Sequence, residues 1–204
     1  GQELQAKIGA NPFKYGIEAG TDFHSGIDST EPNNYAGSHG NQDSDPRKVI
    51  TATKSVVGEP PTALSSGGLT GVWAEENTRA SIFSAFQRKE TFGTSGVRIK
   101  VRMFGSWNYP QGMTKNADWV KTAYDKGVPM GGDLAAHAGS GGPKFVVYAV
   151  KDPQSGNLDR IQIIKVETRN GKSQEKVFDV VWSGDRKPDP KTGKVPAVGN
   201  TVDV

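Results

Sequence analysis

Residues 14–26 read KYGIEAGTDFHSG. Taken as an extended strand, the segment sends alternate side chains to opposite faces. Tyr15, Ile17, Ala19, Thr21 and Phe23 share one face, which is mostly apolar; Gly16, Glu18, Gly20, Asp22 and His24 share the other. The second face is small where it starts and ligand-bearing where it ends. That distribution suits a barrel strand whose outer face packs on helices and whose carboxyl end opens into a site. Asp22 and His24 point the same way, so a hard carboxylate oxygen and a borderline imidazole nitrogen can reach one divalent cation such as Zn²⁺, Mn²⁺ or Fe²⁺. Glu18 lies on the same face, where it can orient His24 through the free ring nitrogen. The competing reading of D-x-H is a turn-capping aspartate beside a surface histidine.

Working outward, five stretches carry a resemblance: NPFKYGIEAGTDFHSG (11–26), GLTGVWAEENTRASIFSAFQRKETFGTSGVRIKVRMFGSW (68–107), PMGGDL (129–134), NLDRIQIIKV (157–166) and VFDVVWSGDR (177–186). Across these the chain resembles the C-terminal portion of the DUF3604 family, whose catalytic region is similar to PHP-type metallohydrolases. In such enzymes the last strand of a distorted β/α barrel carries a D-x-H pair that completes a metal cluster. The resemblance maps that pair onto Asp22 and His24. The remaining ligands come from an H-x-H near the start and from further His, Asp and Glu residues, and those motifs are not in this sequence. The resemblance therefore implies a fragment with the last part of a metal site, catalytically incomplete without the N-terminal part of the barrel. It also likens EPNNYAGSHGNQD (31–43) to the loop after the D-x-H strand. His39 then becomes the candidate for substrate contact or proton transfer, because an imidazole titrates near neutral pH.

Composition narrows the classes. A length of 204 residues allows one large or two small domains, and the 26 glycines and 12 prolines foretell many turns. A net charge of +3, with Lys and Arg spread along the chain, gives no support to nucleic-acid binding. The absence of cysteine excludes disulfides and thiolate chemistry but leaves localisation open, periplasmic or secreted sites included. The longest apolar run, at 145–150, is too short for a membrane span. No secretory signal pattern opens the chain.

In chain order, residues 3–8 read as a helix with Leu4 and Ile8 on one face and Gly9 as its stop. Residues 27–67 form a long loop rich in Ser, Asn, Asp, Gly and Pro. Its Asn41-x-Asp43-x-Asp45 spacing imitates a calcium loop, but Pro46 stands where glycine is needed. A second helix is expected over 78–89, capped by Asn77 or Thr78, with Ile82, Phe83 and Phe86 as its buried stripe. Glu75 and Glu76 precede it; one can line the site as a partner to a metal-bound water or substrate, or both simply favour the positive end of the helix dipole. Relatives of the PHP type close their barrel with this helix, which puts the domain boundary after it, at 93/94.

From residue 97 the period becomes two, with Val97, Ile99, Val101 and Met103 inward and the basic Arg98, Lys100 and Arg102 on a solvated face. Trp119, Val120 and Ala123 have helical spacing. Residues 145–150 read as a buried strand. Segments 160–168 and 175–182 flank Asn170-Gly171, the strongest hairpin signal in the chain, with a β-bulge expected between Ile163 and Ile164 and a packed face of Phe178, Val180 and Trp182. Lys172-Ser173 is no phosphate loop, since Val166 replaces the required glycine.

These readings add up to an α+β chain: a C-terminal remnant of a PHP-like β/α barrel over 1–93, then a mainly antiparallel β-sandwich-like domain over 94–204. The expected function is that of a metal-dependent hydrolase of phosphoester or organophosphonate ester bonds, with a small-molecule ester as substrate. The alternative is a non-catalytic β-sandwich module that binds a ligand or packs against a neighbour.

Overall fold

The computed structural model describes residues 1–21, 47, 51, 68–199 and 201. Within them the helices are few and the sheets small and mostly antiparallel, an α+β arrangement. Two compact units form, one from residues 16–148 and one from residues 1–15 with 149–204.

In the unit of residues 16–148, β1 (Thr70–Val72) and β2 (Thr91–Gly93) pair antiparallel with Val72 opposite Thr91 and Thr70 opposite Gly93. Between them runs α2 (Arg79–Gln87), numbered after α1 (Gln2–Ile8) of the other unit. Thr78 caps α2 by accepting the Ser81 amide at 3.3 Å, as its residue type requires. The helix ends in a Schellman geometry: the Glu90 amide reaches Ala85 O at 3.0 Å and the Lys89 amide reaches Phe86 O at 2.9 Å. That geometry needs a left-handed residue, and it falls on Lys89 at φ 58°. Glycine is the usual occupant because a side chain there crowds the carbonyl. Lys89→Gly should therefore raise stability by about 0.5–1 kcal/mol, the relief of strain outweighing the entropy of a freer unfolded chain. A urea midpoint equal to or below that of the parent would contradict it.

The buried stripe of α2 differs from the expected one. Ala85 is buried, while Phe83 and Phe86 are 59% and 48% exposed. The core lies further along the chain instead. β3 (Lys100–Ser106) sits between β4 (Val128–Pro129) and β5 (Lys144–Val150) in a three-stranded sheet, and α3 (Trp119–Lys126) covers it. Phe104, Tyr109, Met113 and Ala123 are buried together, with Trp119, Val120 and Val146 packed against them. Two hydrogen bonds close this core: Tyr109 OH donates to Ala123 O at 2.9 Å, and Ser106 Oγ donates to Lys126 O. Burial raises the Tyr109 pKa, so this phenol stays a donor through the neutral range. Residues 145–150 do form a strand, but not a buried one, because Phe145 and Tyr148 are 49% and 44% exposed.

In the other unit, β6 (Arg160–Arg169) and β7 (Lys172–Trp182) form the hairpin that Asn170-Gly171 announces. Both turn residues have positive φ, 51° and 73°, as a type I′ turn demands. The register shift falls at Ile161/Gln162, two residues before the expected bulge, and Val180 is the residue left over on β7. With Val180 in the bulge, the expected packed face is broken: Phe178 and Val180 remain 39% and 50% exposed. α1 (Gln2–Ile8) ends at Gly9 with φ 76°, as read from the sequence. It meets the hairpin through polar bonds: Gln2 Nε2 to Val166 O at 3.1 Å, and the Ser173 amide to Glu3 Oε1 at 2.8 Å.

Arg186 and Arg160 draw the segment after β7 back onto this hairpin. Arg186 donates to Asp159 and to Pro196 O, and Arg160 meets Asp159 at 3.1 Å and Asp179 at 3.3 Å. The hydrogen bond from Arg186 holds the Asp159 carboxyl below its ordinary pKa, and bonds from Gln162 and the Val195 amide do the same for Asp179. A carboxylate with a depressed folded pKa adds stability above its unfolded value and loses it as pH falls through the folded one. The clasp should thus hold at neutral pH and loosen below about pH 4, near the ordinary aspartate pKa. Amide exchange at Val195 followed from pH 6 to pH 3 checks this; protection that persists unchanged to pH 3 would rule it out.

Candidate functional site

Of the residues singled out in the sequence, Asp22, His24 and His39 lie outside the described residues. Glu18, Glu75 and Glu76 are described, and all three are exposed. Among the described residues no group of three or more His, Asp or Glu side chains gathers as a metal set would.

The segment that leads into the D-x-H pair is held in a definite way. Thr91 Oγ1 donates to Ile17 O at 2.6 Å. Thr70 Oγ1 bonds both the amide and the carbonyl of Ala19 at 2.9 Å, and the Gly68 amide reaches Gly20 O at 3.2 Å. Residues 17–20 therefore run beside the β1–β2 pair from its Thr91 end towards its Thr70–Gly93 end, tied by threonine hydroxyls. Among the described residues the segment joins no strand, and its apolar face is open: Ile17 is 62% exposed, against the expectation that this face packs on helices. Gly93 sits so close to Ala19 and Glu18 that a Cβ would collide at 2.9 Å, which is why glycine stands there.

Glu75 belongs to the other end of the pair. Past Val72 and Thr91 the chain continues to Trp73 and back from Glu90, joined by the Trp73 amide on Glu90 O at 3.0 Å. At this end a cleft of about 550 Å³ opens, with Trp73, Tyr124 and Pro129 as its apolar wall and Glu75, Arg88 and Arg102 as its polar one. Behind it the Glu90 side chain is 1% exposed. Tyr124 OH donates to Glu90 Oε1, and Arg102 Nη2 donates to Tyr124 OH at 2.6 Å. Arg102 Nη2 stands 3.8 Å from Glu90 Oε1, and Arg88 Nε stands 3.5 Å from Oε2.

The Arg102 guanidinium lies 4.3 Å over the Trp73 ring, whose indole N–H is fixed on Val101 O at 2.9 Å. A cation over an indole face adds roughly 0.5–2 kcal/mol. Desolvation raises the Tyr124 pKa, with the bond to Glu90 acting the same way, so the phenol keeps its proton. Among the described residues, Arg102 Nε finds no hydrogen-bond partner although it is buried.

Sequence reasoning missed this cluster. Arg102 falls on the strand face assigned to solvent, yet its side chain is only 16% exposed. The signal that was there is the end of α2, where Lys89 stands in place of glycine and Glu90 in place of an apolar residue. A helix end that departs twice from the usual pattern marks a position held for something other than the helix.

The fold so defined is a small-sheet α+β chain with a cleft that has one apolar and one charged wall, and no described helix is long and apolar enough to cross a membrane. The chain belongs to the family described as protein of unknown function (DUF3604), which matches residues 1–204. No curated protein and no solved structure matches it.

Proposed function

We propose that the chain is the C-terminal part of a metal-dependent hydrolase of phosphoester or organophosphonate ester bonds, in which residues 14–26 become the last strand of a PHP-like barrel once the N-terminal part of that barrel is present. The observation that supports it most is the D-x-H pair at the end of a segment whose preceding residues, 17–20, are bound to Thr70 and Thr91. A carboxylate oxygen from Asp22 and an imidazole nitrogen from His24 make a donor set of the kind Zn²⁺, Mn²⁺ and Fe²⁺ accept. Glu18 on the same side supplies a carboxylate to orient His24. When bound, the divalent ion supplies Lewis-acid polarisation of the ester oxygens and acidifies a water. His39 carries the proton to the departing oxygen at a ring nitrogen, a task its titration range suits.

The test uses the protein expressed from its own start codon. Asp22→Ala and His24→Ala should each lower bound metal by about tenfold or more and remove turnover of aryl phosphonate monoesters and phosphodiesters. Metal content and turnover equal to the parent in both variants would end this assignment.

A second reading, a non-catalytic sandwich-like module, draws support from β6 and β7. A two-stranded sheet is marginal on its own, and here Ile164, Val166, Val177 and Val181 stay 46–59% exposed. An open reading frame upstream of Gly1 that encodes H-x-H after a strand favours the hydrolase; its absence favours the module.

A further inference from the structure

We infer that the cleft between Trp73, Arg88 and Tyr124 is a binding site for a small organic oxyanion, a carboxylate or phosphonate with an apolar body. The inference stands apart from the hydrolase reading, since it invokes neither the metal nor the D-x-H pair.

Charge is the first argument. Two guanidiniums, of Arg88 and Arg102, flank the single buried carboxylate of Glu90. Neither makes a tight fork with it: the shortest guanidinium contacts are 3.5 and 3.8 Å, longer than the 2.7–2.9 Å or so of a full charge-assisted bond. Glu90 spends its best contact on Tyr124 instead. The arginines therefore keep donor capacity, and Arg88, with 46% of its side chain exposed, offers it to the cleft.

Position is the second. Glu90 is buried where the helix end favours an apolar residue, and Lys89 accepts a left-handed backbone to put it there. Replacing both partners of a buried ion pair by apolar residues is often neutral or stabilising. Stability alone thus does not call for the pair of Glu90 and Arg102; what Glu90 does is stand beside Arg102, which lies 4.3 Å over the Trp73 ring, and beside Arg88 on the cleft wall. The cleft has room for a ring-sized ligand, with Trp73, Tyr124 and Pro129 against its body and Arg88 at its acid group. Glu75 stands at the rim as an opposing charge. It repels a bare anion and accepts a hydrogen bond from a ligand that carries a hydroxyl or amine next to the acid.

The experiment is an NMR titration of the EDTA-treated protein with two probes, benzoate and phenylphosphonate, followed at the Trp73 indole and at the Arg88 and Tyr124 amides. Saturable shifts in the low millimolar range are expected for at least one probe. The one that saturates first tells whether the planar or the tetrahedral acid is the better fit. Arg88→Gln should weaken binding by about tenfold or more, the loss of one charge-assisted contact. Glu75→Gln should tighten it severalfold, and Lys191→Gln, in the other unit, should leave it unchanged. Neither probe saturating by 20 mM or so, or equal weakening in Arg88→Gln and Lys191→Gln, would overturn the site. Because no metal is present and no turnover is read, failure here leaves the hydrolase reading where it stands.

Discussion

Glu90→Ala is expected to destabilise the protein by about 3–5 kcal/mol, enough to lower its melting temperature by roughly 10 °C. The truncation leaves Arg102 confined between Trp73, Phe104 and Tyr124 with its counter-charge gone, and strips Tyr124 OH of its acceptor. The guanidinium cannot simply turn to solvent without abandoning the Trp73 face. The cost belongs to the unpaired charge and not to the pair as such. Replacing both ends, Glu90→Leu with Arg102→Met, should for that reason recover most of the loss. Urea unfolding of the single and double variants decides it. A single variant within about 1 kcal/mol of the parent, or a double variant worse than the single, would mean that water already balances this charge.

The second large effect is expected at Phe104. Its ring is 1% exposed and meets Trp119 edge-on at 6.0 Å and Tyr124 at 5.0 Å, so it joins the sheet to α3 and to the cleft wall. Phe104→Ala should cost about 3–5 kcal/mol from lost transfer energy and the cavity left behind. Phe83→Ala is the control, because its ring lies on α2 in the stripe that helical periodicity marks as buried, yet it is 59% exposed. Its truncation should cost under about 1 kcal/mol. Comparable losses at the two positions in denaturant unfolding would place the core on α2 and not under α3.

The contrast between those two phenylalanines shows where sequence reasoning stops. Periodicity found the helix from Thr78 onward, because capping and helical spacing act within a few residues. It could not find which face was covered, since that depends on which segments lie beside it. The hairpin about Asn170-Gly171 was readable for the same local reason, and the bulge was nearly so. Which of its apolar residues pack was not, because the bulge at Val180 shifts the alternation by one residue. Arg102 is the clearest case: on a strand of alternating charge it belongs in water, and only Glu90, Trp73 and Tyr124, drawn from distant segments, make its burial tolerable.

Residues near one another, or a pattern along the whole chain, were enough for the helix and hairpin positions and for the family. Only the tertiary structure decided that the core lies under α3, that threonines 70 and 91 tie down residues 17–20, and that a buried carboxylate with two arginines backs a cleft at the other end of β1 and β2. Those are long-range pairings, and a charge is kept dry only when its partners arrive from elsewhere in the fold.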